Sequence, residues 1–176
     1  MQFNDKQLDN VEYVLLEDDG CFPNNGKLPL ILYKSAVDLA GNDGARLIED
    51  VIYRNSWGSS WRDGIYSIHH YHSTAHEVLG VYSGEAEVLL GGGKGVTYKV
   101  GIGDFVLIPA GVAHRCVSAS DSFRVVGAYP PGQKYDMCYG RQEERPQADR
   151  NIDRVPVPET DPVYGINGPL TLLWSA

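Results

Sequence analysis

The chain has 176 residues, the size of one domain burying about 70 % of its unfolded surface, and carries 15 basic against 23 acidic side chains for a formal charge of −8. That balance lacks the cationic excess needed to bind nucleic-acid phosphates or an anionic membrane surface, so neither is an expected partner. Three cysteines without a CxxC pair exclude a disulfide framework or zinc knuckle, and no apolar run is long enough to span a bilayer.

In chain order, 11–16 and 28–33 read as short strands separated by the turn-rich CFPNNGK. The opening MQFNDKQLDNVEY has no basic region followed by an apolar run, so the expected location is cytoplasmic. A helix is expected near 43–54, with Leu47, Ile48, Val51 and Ile52 on one face and Asn42 or Asp43 as its cap. Tyr53, Trp57 and Trp61 read either as a cover over the barrel mouth or as core anchors where this helix meets the barrel, and the second is preferred.

From Gly64 to Tyr129 short apolar runs alternate with glycine: GIYSIHHYH, EVLGVYS, GEAEVLL, VTYKV, DFVLIPA, HRCVSAS and FRVVGAY. Strands at such short spacing predict an all-β sandwich or barrel, with a core over about 64–130. Twenty glycines with no repeat period suit many tight turns. GGGKG at 91–95 lacks the GK[ST] of a phosphate loop and is followed by a strand-like run, so it reads as a hairpin tip. The remaining 131–176 is an extension of the same single domain: a turn with a strand in PPGQKYDMCYG, a short surface helix with Pro146 in its first turn, an irregular Pro-rich stretch, and LTLLW as a last edge strand.

Four of the five histidines lie between 69 and 76, and the fifth is His114. On a strand, His70 and His72 project from the same face. Glu77 opens the next run and faces the same interior if the two strands pair, and His114 opens another strand after the turn PAGVA. Three imidazoles and one carboxylate converging inside a barrel make a site for one divalent transition ion (Fe, Mn, Ni, Zn or Cu) with open positions for substrate. Strand parity nominates Tyr66 and Ile68 beside His70, Leu79 and Val81 beside Glu77, and Cys116 and Ser118 beside His114 as pocket wall. His69 has the opposite parity and reads as an outward, surface imidazole; His76 is at most a support behind the ligands. Arg115 and Arg124 are candidates for a substrate carboxylate, with a surface role preferred, and Cys116 is expected to be an inert thiol.

These residues resemble the cupin family. Gly64, five residues, His70-Tyr71-His72, four residues, Glu77, six residues and Gly84 follow its first motif; Gly103, Pro109, Gly111 and His114 follow its second, with Ser118 where the motif has Asn. HHYHSTAHEVLGV and VVGAYPPGQKYDMC are similar to a group of small bacterial cupins, the YjlB-like proteins, over about 28–174. The resemblance implies a double-stranded β-helix (jelly-roll) barrel with one or two peripheral helices, metal ligands His70, His72, Glu77 and His114, and a homodimer. It implies a metal-dependent enzyme on a small organic molecule, dioxygenase- or decarboxylase-like. The alternatives are a metal-independent sugar isomerase or epimerase, and a non-catalytic small-ligand binding protein.

Overall fold

The segment Phe105-Val106-Leu107-Ile108 is apolar at every position because both faces of its sheet are covered. In the computed structural model, which describes residues 10–40 and 43–175, it forms β7 (Phe105–Ile108). Eight other strands surround it: β1 (Val11–Leu16), β2 (Asn25–Tyr33), β3 (Gly58–Asp63), β4 (Glu77–Ser83), β5 (Glu85–Leu90), β6 (Val96–Gly101), β8 (His114–Ala119) and β9 (Arg124–Tyr129). They form two antiparallel sheets, of order β1-β2-β7-β4-β9-β3 and β6-β5-β8. The architecture is the expected jelly-roll.

Side-chain alternation divides the core in two. Leu30 and Leu32 of β2, Leu79 and Val81 of β4, Val106 and Ile108 of β7 and Val125 of β9 point between the sheets, where they meet Ala86, Val88 and Leu90 of β5. Their neighbours Ile31, Tyr33, Val78, Phe105, Leu107 and Val126 point the other way, against the helices α1 (Gly44–Arg54) and α3 (Pro169–Leu173). Ile48 and Ile52 of α1 are fully buried there. Asp43 caps α1 by accepting a hydrogen bond from the Arg46 N–H at 3.2 Å, and the other cap candidate, Asn42, lies outside the described residues. Among the described residues no helix is long and apolar enough to cross a membrane.

Three expectations need correction. The run 64–72 is not a strand: single bridges join His70 to His114 and Tyr71 to Cys138. Between His70 and Glu77 the chain leaves the edge of the small sheet for the interior of the large one, so no partner runs alongside for long. LTLLW is not an edge strand but part of α3; Pro169 starts the helix, and Leu170 and Trp174, four residues apart, share its buried face. Finally, Gly58–Asp63 forms β3, an edge strand paired with β9, although its Gly, Ser and charged residues carry no β signal. The surface helix appears as α2 (Gln147–Ile152), with Pro146 one residue before it, and GGGKG is the β5–β6 hairpin tip.

Candidate metal centre

His114 is placed by the turn between β7 and β8. Gly111 in that turn has φ +94°, and a Cβ there would stand 2.3 Å from the Asn24 carbonyl oxygen, so only glycine fits. The Gly111 N–H donates to the His72 carbonyl at 2.8 Å, tying the two histidine segments together. Backbone bonds between His70 and His114, at 3.2 and 2.9 Å, hold the third. Tyr71 between them turns away from the histidines into a separate buried cluster with Phe22, Ala113 and Cys138, and its hydroxyl donates to Glu144 at 3.0 Å. The alternation that a strand would produce therefore survives in an extended loop.

His70, His72 and His114 are buried, and their ligand nitrogens lie within 4.8 Å of one another. Each ring is oriented by a backbone carbonyl. His70 Nδ1 bonds to the Ile68 oxygen at 3.0 Å, His72 Nδ1 to that of Asp136 at 2.5 Å, and His114 Nδ1 to that of Val112 at 3.1 Å. A carbonyl only accepts, so each Nδ1 carries a proton, and Nε2 of each ring, which bears a lone pair whenever the ring is neutral, is turned inward. Burial and the neighbouring His114 press His70 down to about 4, which keeps it neutral at physiological pH.

Glu77 enters from β4. Its Oε2 stands 3.4 Å from His72 Nε2 and 3.3 Å from His114 Nε2. With neutral rings, carboxylate oxygen would oppose imidazole lone pair, acceptor facing acceptor, so the arrangement needs a cation between them, either a proton or a metal ion. Two ligand atoms each about 2.1 Å from one ion lie about 3.0–3.4 Å apart, so the observed separations suit shared coordination. Burial opposes the charge on Glu77, but His72 and His114 outweigh it and hold the carboxyl well below the usual range. Burial likewise opposes a proton on His72, but Glu77 raises its affinity above the ordinary value. The donor set fits a divalent ion.

Behind Glu77 stands a relay absent from the expected site. The Tyr129 hydroxyl donates to Glu77 Oε1 at 2.9 Å, and Trp61 Nε1 donates to the Tyr129 oxygen at 2.9 Å. Trp61 thus lines the site while packing against the core between the sheets; Trp57 is a core anchor with 1 % exposure, and Tyr53 is exposed and is not one. The Trp61 indole crosses Gly127, where a Cβ would come within 2.2 Å of the ring. Tyr135 stacks on Tyr129 at 4.8 Å and meets His72 edge-on at 5.0 Å.

The site opens into a cavity of about 620 Å³. Of the nominated wall residues, Tyr66, Ile68 and Leu79 line it; Cys116 does not. Cys116 faces inward but packs into the core between the sheets, and its thiol donates to the Ser118 carbonyl at 3.4 Å. Tyr135, Met137 and Tyr139 line the cavity from the segment after β9, and their every-second-residue spacing was the signal available for them. His69 is not a free surface imidazole: it is half-buried with its ring 5.2 Å from Phe22. His76 is buried and supports the turn rather than a ligand: its Nδ1 accepts from the Ala110 N–H at 2.9 Å, and its ring packs on Trp174 at 4.7 Å.

The double sheet and its inward-facing histidines are those of a cupin, and a family model described as "Cupin domain" matches residues 62–126. A protein of Bacillus subtilis (strain 168), "Uncharacterized protein YjlB", is 41 % identical over 157 residues, which cover 89 % of this chain and 92 % of that protein. The chain belongs to the cupin family, in its YjlB-like group. Among solved structures, a DUF861 family protein from Thermotoga maritima is 23 % identical with a TM-score of 0.34, over 47 % of this chain and 85 % of that one. The dTDP-6-deoxy-D-glucose-3,5-epimerase RmlC from Legionella pneumophila is 15 % identical with a TM-score of 0.40, over 72 % and 73 % of the two chains.

Proposed function

We propose that this cupin is a metal-dependent enzyme acting on a small organic molecule, dioxygenase- or decarboxylase-like, with one divalent transition ion held by His70, His72, Glu77 and His114. The observation that carries this reading is the set of three Nδ1–carbonyl bonds, which leave three Nε2 atoms turned inward beside a carboxylate, with the ligand nitrogens of the three histidines within 4.8 Å of one another. A bound ion supplies a Lewis acid and, if redox-active, an electron carrier. The chain's own groups do the remainder. Glu77 reduces the charge of the centre, and Tyr129 fixes its orientation. Burial and Glu77 raise the Tyr129 hydroxyl well above its ordinary value, so it stays protonated and donates.

Metal analysis of protein purified without chelator tests the proposal. The expected result is close to one first-row ion per chain. His72→Ala and Glu77→Gln should each weaken binding sharply, while His69→Ala should not. No ion as purified, and none on titration, would overturn it.

A second reading has one observation in its favour. With a proton instead of a metal between them, Glu77 and His72 form a buried acid–base pair suited to a metal-independent isomerase or epimerase. That reading expects activity and thermal stability to be indifferent to chelator.

A further inference from the structure

We infer that the cavity selects a molecule with one anionic oxygen donor on an apolar or aromatic body, and rejects the same body carrying a second anionic group. The inference rests on the metal reading above and concerns the wall around that centre. A divalent ion held by three neutral imidazoles and one carboxylate keeps one net positive charge, which a single anionic donor neutralises. Among the described residues lining the cavity, Arg62 is the only Lys or Arg beside the three histidines, and its guanidinium is turned to Glu49 of α1, with bonds of 3.0 and 2.7 Å. Neither arginine considered for a substrate carboxylate lines the cavity. Arg124 donates to the Phe123 and Asp121 carbonyls at 2.6 and 3.2 Å, and Arg115 stands behind the lining residue Ser67, whose carbonyl it reaches at 3.5 Å.

The wall instead carries another anion, Asp63, together with the aromatic faces of Tyr66, Tyr135 and Tyr139 and the apolar side chains of Ile68 and Met137. A second carboxylate on the ligand would find no counter-charge among these groups, and Asp63, exposed at the rim, would repel it. A ring, by contrast, gains stacking or edge contacts with the tyrosines, and the volume of about 620 Å³ is ample for one.

The test is calorimetric titration of the full chain, loaded with cobalt(II), with acetate, benzoate and terephthalate, the metal content being measured on the same samples. Benzoate is expected to bind at least tenfold tighter than acetate and at least tenfold tighter than terephthalate. Acetate equal to benzoate, or terephthalate equal to or tighter than benzoate, overturns the inference. A chain that takes up no cobalt overturns the metal reading itself, which the metal measurement reports separately. Ile68 is exposed on the wall, so replacing it does not threaten the core. Ile68→Lys should reduce the benzoate-to-terephthalate preference at least fivefold, and Ile68→Gln, without the charge, should not; a preference unmoved by Ile68→Lys counts against the charge argument.

Discussion

The Tyr129 hydroxyl donates to Glu77 Oε1 at 2.9 Å, while the other oxygen of the same carboxylate faces His72 and His114. One bond thus decides which oxygen turns to the histidines. Removing an outer partner of a ligand typically weakens metal affinity about 10–100-fold. Tyr129→Phe keeps the ring and its stack on Tyr135 but removes the donor. Its expected effect is a loss of metal affinity in that range, measured by competition with a chromogenic chelator, with a larger loss for Glu77→Gln.

Metal binding should also register as stability, because an unfolded chain offers no preassembled set of ligands. At a free ion concentration 100-fold above its dissociation constant, the native state gains about 2.7 kcal/mol. For a domain of this size that corresponds to a rise in Tm of about 5–10 °C. Thermal melts with and without chelator should show it in the wild-type chain, and His72→Ala should abolish it.

Gly127 leaves space for the Trp61 indole, which would stand 2.2 Å from an added Cβ. Gly127→Ala should push the ring away and break its bond to Tyr129. Overpacking of this kind costs about 1–3 kcal/mol. The expected outcome is a lower denaturation midpoint together with weaker metal binding, whereas Trp61→Phe should weaken metal binding with a smaller stability loss.

Asp161 is buried and ties the C-terminal segment to the large sheet. Its carboxylate accepts the Tyr33 hydroxyl at 2.7 Å and the N–H groups of Val163, Tyr164 and Leu170 at 2.8, 2.9 and 2.9 Å. Asp161→Ala leaves four donors without their acceptor and should cost about 3 kcal/mol or more in a urea titration. Asp161→Asn retains an acceptor oxygen and should cost less.

The three cysteines should separate by reactivity. Burial pushes the Cys138 thiol up to about 11, with Asp136 adding to the effect, and burial also raises Cys116. Cys21 is exposed. Brief alkylation of the native chain near neutral pH should label Cys21 first, as peptide mass analysis would reveal, and denaturant should expose the other two.

Much of the barrel was legible in the text because its strands obey a period of two. Glu77, Leu79 and Val81 were placed on one face by parity, and that is where they lie. Other elements were hidden for identifiable reasons. β3 is built on Gly, Ser and charged residues around the single aromatic Trp61, and pairing with β9 makes it a strand. LTLLW is too short for its period to distinguish strand from helix, and Gly168-Pro169 was the stronger, local signal. Tyr129 escaped notice although it shares the parity of Val125 and Gly127, because only the pairing of β9 with β4 brings it beside Glu77.

By itself the sequence determined the ingredients: strand periodicity for a β barrel, glycines at turns that exclude a side chain, and three histidines and a glutamate at spacings shared with cupins. These are local properties, written in neighbouring residues. The tertiary structure decided what those groups can do. It supplied the carbonyls that turn each Nε2 inward, the Trp61–Tyr129 relay behind Glu77, and a wall of tyrosines and apolar side chains beside Asp63. Each of these joins residues far apart in the chain or depends on which way a side chain turns after packing, and no spacing rule contains that information.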